Sequence, residues 1–161
     1  MQTSIIFWTP DSSLDKNVQM FTLSQTTGYA IKALVCLARD SCDHDFIQQI
    51  AECSDVPQAY LAKILKRLNE AGLVESKRGY KGGVWLARPA TEISLWDISL
   101  AIDGDAFLSR CLLGDEFCDD KRDCPTHEFW KGERIKIQAE LARTTVEDVV
   151  EFERKHAHAE R

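Results

Sequence analysis

No run of eighteen apolar residues occurs in this chain, which excludes a membrane-spanning helix. The opening MQTSIIFWTPDSSLDKNVQM lacks a basic leader and holds only a four-residue apolar patch, so it does not read as a secretory signal. A reducing, cytoplasmic setting is therefore expected, where clustered cysteines mean metal or redox chemistry more often than disulfides. There is no GxGxxG turn for a nicotinamide or flavin and no GxSxG nucleophile elbow, so an enzyme is not expected. No internal repeat is found either.

What is present suits one domain with an appendage. The chain has 161 residues, 44% hydrophobic and 29% charged, enough to bury a real core. Its net charge of −6 is unevenly spread. Residues 57–88 carry +5, while residues 1–56 carry −4 and residues 89–161 carry −7. A basic block between acidic segments is an electrostatic footprint for a polyanion, although a solvated helix face is the commoner fate of a charge run.

Residues 1–22 show no sustained period and read as a loose leader, with Met20 an alternative start. From the capping Ser24, SQTTGYAIKALVCLARD places Ala30, Ala33, Leu34, Leu37 and Ala38 on one helical stripe. DFIQQIAECSDV repeats the spacing briefly at Ile47, Ile50 and Ala51 before CSDV breaks it. PQAYLAKILKRLNEAGL starts with Pro57 in its first turn, buries Leu61, Ile64, Leu65 and Leu68, and stops at Gly72. Two short helices joined by a tight turn form a helix-turn-helix pattern. LVESK and VWLAR then read as strands joined by RGYKGG, the wing of a winged helix. SLWDISLAI is a further short helix, PTHEFWKGERIKIQAELAR a long one, and TTVEDVVEFERKH a last helix behind a threonine cap.

The outer face of the second helix of the pair presents Gln58, Ala59, Tyr60, Ala62, Lys63, Lys66 and Arg67. Its N-terminus suits a phosphate, and long side chains in its first turns can reach base edges in a major groove. In the wing, Lys77, Arg78, Tyr80 and Lys81 surround glycines, Gly82 and Gly83 among them, that let a backbone approach closely. An arginine on a thin hairpin suits a narrow, negative minor groove. Double-stranded DNA is the expected partner.

Between these helices, CLLGDEFCDDKRDCPTHEFW gathers Cys111, Cys118, Cys124 and His127 within seventeen residues. Pro125 would start a helix near Cys124, setting Cys124 and His127 on one face. Such donors suit zinc or an iron–sulfur cluster. The gaps of six and five residues depart from the close cysteine pairs usual in structural zinc sites. Thiol signalling is disfavoured, because the surrounding carboxylates raise a thiol's pKa whereas a metal deprotonates it. Cys36, Cys42 and Cys53 read as small hydrophobes or loop residues, and His44, His156 and His158 as surface. Trp85, Trp96 and Trp130 read as core or interface.

From Leu23 to about Val150 the chain resembles the Rrf-two (Rrf2) family of winged-helix transcriptional regulators. The matching pieces are GYAIKAL, YLAKILKRLNEAGLVESKRGYKGGVWLARP and CPTHEFW. The resemblance implies a mainly α fold with a small β-hairpin wing, a winged helix-turn-helix followed by a long C-terminal dimerisation helix. It divides the chain into a leader (1–22), a DNA-binding domain (23–103), a cluster loop (104–123) and the dimerisation and C-terminal helices (124–161). It further implies a homodimer on a pseudo-palindromic operator. Cys111, Cys118, Cys124 and His127 match the family's iron–sulfur ligands, with [2Fe–2S] expected first and [4Fe–4S] as the alternative. Arg78 matches the wing arginine. Three departures stand out: a first cysteine gap one residue longer, Gly28 where nitric-oxide-sensing members have an acidic residue, and Ala62 where a glutamate stands on the recognition helix. The expected function is a DNA-binding regulator controlled by a cluster that senses iron, redox or nitric oxide status. The rivals are a zinc-stabilised or metal-free winged helix, a protein-interaction module, and an electron-transfer protein.

Overall fold

A computed structural model describes residues 23–39, 46–77, 79, 82–104, 106–113, 118 and 124–159. The leader and Cys42, His44, Arg78, Tyr80 and Lys81 lie outside the described residues. The elements run α1 (Gln25–Ala38), α2 (Ile47–Ser54), α3 (Gln58–Glu70), β1 (Val74–Lys77), β2 (Gly83–Leu86), α4 (Leu95–Asp103), α5 (Ala106–Ser109), α6 (His127–Arg143) and α7 (Val146–Ala159). A single 3₁₀ turn at Ala90–Glu92 precedes α4.

Helix α1 is the hub, packing against α2, α3, α4, α7 and β2. Its apolar stripe explains this: Ala30, Ala33 and Leu34 are fully buried, and alanines at the first two positions let neighbouring helices come close. The expected cap holds, with Ser24 Oγ accepting from the Thr27 amide at 3.1 Å. Ser24 and Thr27 hydroxyls both donate to Asp103 at 2.7 Å, tying the start of α1 to the end of α4. That satisfies the buried Thr27 hydroxyl, which would otherwise be costly.

The turn between α2 and α3 is three residues, Asp55, Val56 and Pro57. Asp55 takes the left-handed conformation (φ 54°), which a short polar side chain tolerates. Val56 is driven into the core and its amide donates to Ala51. Helix α3 buries the expected Leu61, Ile64, Leu65 and Leu68. It ends at Glu70, and Gly72 (φ 70°) reverses the chain into β1. β1 and β2 pair antiparallel with Val74 opposite Leu86 and Lys77 opposite Gly83. Trp85, expected in a core or interface, is 41% exposed on this hairpin and donates across the strands to Glu75 at 3.0 Å.

Three further features depart from expectation. The stretch read as an open cysteine loop contains α5, and α6 begins at His127 rather than near Cys124. Cys124, Pro125 and Thr126 instead form the turn before it, closed by the His127 amide on the Cys124 carbonyl at 3.0 Å. Cys36 and Cys53, read as small hydrophobes, are joined by a disulfide between α1 and α2 with Cα atoms 6.2 Å apart. Their adjacency is a tertiary fact, set by the packing angle of two helices. In keeping with a last helix that closes the fold behind a threonine cap, α7 returns to the N-terminal core. Val146 and Val150 are buried there, and backbone hydrogen bonds link Leu95 to Thr144 and Val146 to Ile93.

Candidate nucleic-acid interface and thiol–imidazole site

The apolar stripe of α3 faces α1, α2 and α4, so its opposite face must meet solvent. Gln58, Ala59, Tyr60, Ala62, Lys63, Lys66 and Arg67 are all exposed there, as the periodicity predicts. The structure separates them by what they touch. Lys66 leans towards Glu70 at 3.7 Å, both largely solvated, a pair worth little. Arg67 donates to the Ile102 carbonyl at 3.0 Å, so its guanidinium caps the end of α4. Tyr60 hydrogen-bonds to Thr26 at 2.5 Å and sits edge-on to Tyr29 with ring centroids 5.8 Å apart. Arg67 and Tyr60 thus serve the joints of α3 with α4 and α1, a role that sequence spacing gave no sign of.

At the start of α3, Pro57 caps without a side-chain hydrogen bond, and Gln58 and Ala59 in the first turn are exposed. Lys77 closes β1, while Gly82 donates to the Gly79 carbonyl at 2.8 Å and Gly83 opens β2. Gly79 has φ +95°, a backbone state that an L side chain resists, so the hairpin tip depends on glycine there. Between α3 and this hairpin lies an open groove of about 630 Å³. Gln58, Ala62 and Lys66 of α3 line it with Lys77 and Gly82 of the hairpin, and Gln48 of α2 joins them. Gln48 was not anticipated as a site residue. Its signal was the phase of α2, which turns Gln48 outward when Ile50 turns in.

The second site lies where α6 begins. His127 is buried at 8% exposure, and its Nδ1 is 3.3 Å from Cys118 Sγ. Cys118 is held by its amide on the Ser109 carbonyl at 2.9 Å. Trp130 donates to the Arg110 carbonyl at 2.7 Å and Arg134 to Leu108 at 3.2 Å, so α6 grips the α5 segment at two points. Cys124 Sγ lies 3.3 Å from the Thr126 hydroxyl, and Cys111 Sγ accepts from the Leu113 amide at 3.5 Å. The structure therefore brings Cys118 and His127 together, while Cys111 and Cys124 keep separate local partners. All three cysteines are free thiols and half-buried. Among the described residues no group of three or more donors converges as a metal site.

No helix among the described residues is long and apolar enough to cross a membrane. The profile of the family described as "Rrf2: Iron-dependent Transcriptional regulator" matches residues 23–152. A chain of Aquifex aeolicus (strain VF5), classed among the HTH-type transcriptional regulators, is 34% identical over 136 residues, 83% of this chain and 94% of that one. The HTH-type transcriptional regulator IscR of Photorhabdus laumondii is 31% identical over 123 residues, 76% of this chain and 74% of that one. Among solved structures, CymR of B. subtilis, the global cysteine regulator, matches with a TM-score of 0.67 and 26% identity. That match covers 82% of this chain and 98% of that one. T. potens IscR matches at 0.61 and 26%, over 81% and 87%. A helix-turn-helix with an exposed, partly basic face, a glycine-tipped hairpin and a family match over residues 23–152 lead to one assignment: this chain belongs to the Rrf2 family and is a transcriptional regulator rather than an enzyme.

Proposed function

We propose that this regulator is a cytoplasmic homodimer that binds a pseudo-palindromic operator, with affinity set by an iron–sulfur cluster. The reading of the DNA contacts rests on the groove between α3 and the hairpin. In that reading Gln58, Ala59 and Lys63 face the major groove, Lys66 and Lys77 take flanking phosphates, and Arg78, Tyr80, Lys81, Gly82 and Gly83 approach the neighbouring minor groove. Two such units place their recognition helices on successive turns, ~10 bp apart or a multiple of it.

The cluster reading is carried by one observation, the Cys118 sulfur against the buried His127 ring. Three free thiols and an imidazole within seventeen residues fit iron–sulfur chemistry in kind, [2Fe–2S] first and [4Fe–4S] as the alternative. Cys111, Cys118, Cys124 and His127 would hold the group, which would supply a charge and occupancy that respond to iron, redox state or nitric oxide. The protein's own part is mechanical. Cys118 hangs from Ser109 while Trp130 and Arg134 clamp Arg110 and Leu108, so tension on the ligands is felt by α6, which packs on α4. α4 in turn holds Arg67 of the recognition helix.

The test is purification without air from iron-replete cells, with iron, sulfide and zinc analysis and binding to genomic fragments before and after cluster removal. A visible chromophore, matched iron and sulfide, and a change in affinity of at least ~10-fold on removal are expected. A colourless protein with stoichiometric zinc, or equal binding by both forms, defeats the cluster reading. His127→Ala is expected to lower the iron content.

A further inference from the structure

Cys36 and Cys53 stand apart from the thiols discussed above. Cys36 lies in the last turns of α1 at 3% exposure, and Cys53 is half-buried in the last turn of α2. The bond between them has Cα atoms 6.2 Å apart, inside the usual range of ~4.4–6.8 Å. It lands one residue before the buried Ser54 and two before Asp55, where the chain turns into α3. Ser54 donates to the Ile50 carbonyl at 2.6 Å and the Val56 amide to Ala51, so the crosslink and the turn form one block.

Placed in the cytoplasm, as proposed above, such a bond does not persist as a passive staple. Disulfides there are reduced unless formed in response to an oxidant. We infer that Cys36 and Cys53 are a redox modification site, a dithiol that peroxide converts to the observed disulfide, which locks the helix-turn-helix independently of Cys111, Cys118 and Cys124.

The exposure difference orders the chemistry, since accessible thiols oxidise first. The Cys53 thiolate attacks one oxygen of hydrogen peroxide, the O–O bond breaks, and with a proton the departing hydroxide leaves as water. The Cys36 sulfur then attacks the Cys53 sulfenic sulfur, the S–O bond breaks, and the Cys36 proton leaves with it as a second water. Two thiols and one peroxide give one disulfide and two waters, and a dithiol reductant reverses the change by exchange. In the reduced form the sulfurs cannot stay at bonding distance and must separate to roughly 3.5–4 Å. Because Cys36 is enclosed by the core, that separation falls on α2 and the turn into α3.

The test uses the full-length protein, treated with dithiothreitol or with stoichiometric hydrogen peroxide, then alkylated and mapped by mass spectrometry. Peroxide should join the Cys36 and Cys53 peptides with loss of two hydrogens, and dithiothreitol should release both for alkylation. Oxidised protein should melt ~5–15 °C above reduced protein. The difference should vanish in Cys53→Ser and in Cys36→Ala, chosen as two variants in case either packs poorly. Oxidised protein should also hold DNA at least ~3-fold more tightly, because the turn is pre-organised. Oxidation confined to other cysteines, or a melting difference that persists in Cys53→Ser, overturns the inference. A bond already complete in acid-quenched, unstressed cells also overturns it, because the pair is then a permanent crosslink. Absence of DNA retention in both states, with the mapped bond and melting shift intact, counts against the interface assigned to α3 and the hairpin and supports the couple itself.

Discussion

At the scale of single residues, burial and hydrogen bonding decide the consequences. Leu34 is fully enclosed on the hub helix, so Leu34→Ala removes packed methyl groups that nothing can replace. A loss of ~2–5 kcal/mol is expected in denaturant unfolding. Asp148 illustrates a different kind of term. The Thr145 backbone amide, then the Thr145 hydroxyl, hold its carboxyl below the ordinary value of 3.8. A carboxylate with a lowered folded pKa contributes stability in full above its ordinary value and loses it as pH falls through the folded value. Asp148→Asn should therefore melt lower than wild type at neutral pH, with the gap closing as acid takes the pH below 3.8. A gap that stays constant into acid would show that the charge of Asp148 contributes nothing.

At the scale of elements, α3 carries two jobs on one outward surface. Tyr60 and Arg67 dock it on α1 and α4, while Lys63 and Lys66, with Lys77 of β1, are exposed to solvent. Each lysine that contacts a phosphate releases about one counterion. Lys66→Ala and Lys77→Ala should each weaken binding to all sequences alike and reduce the slope of log affinity against log salt by about 1. Arg67→Ala should behave otherwise, lowering thermal stability through the lost cap on α4 before it changes the salt slope. Paired titrations of the variants over a range of salt distinguish the two outcomes.

At the scale of the whole molecule, the position of α7 matters most. Its Val146 and Val150 belong to the same core as the helix-turn-helix, so α6 is an arm held at both ends rather than a detached tail. Along that arm Phe129 and Ile135 are 62% and 63% exposed. In the homodimer proposed above they meet the partner subunit. Phe129→Asp with Ile135→Asp should shift sedimentation from dimer to monomer while leaving the helical signal intact. An unchanged sedimentation coefficient would remove α6 from the interface.

Much of this was legible from residue order alone. Period and caps marked α1, α3, β1, β2 and α4 because those stripes run long enough to declare which face is buried, and Ser24 and Gly72 punctuate them by local physics. Spacing also pointed to Cys111, Cys118, Cys124 and His127 as a donor set, of which the structure brings Cys118 and His127 together. Residue order did not disclose α5, whose four residues are too few for a period, or the true start of α6, which Thr126 sets rather than Pro125. Nor could it separate the docking residues Tyr60 and Arg67 from the exposed lysines, since their partners Thr26 and Ile102 are distant in the chain. What only the tertiary structure decided are meetings across elements: Cys36 with Cys53, Cys118 with His127, Asp103 with Ser24 and Thr27, and α7 with the core. Local pattern dictates which face of a helix is buried. Which distant side chains share that burial depends on how the helices cross.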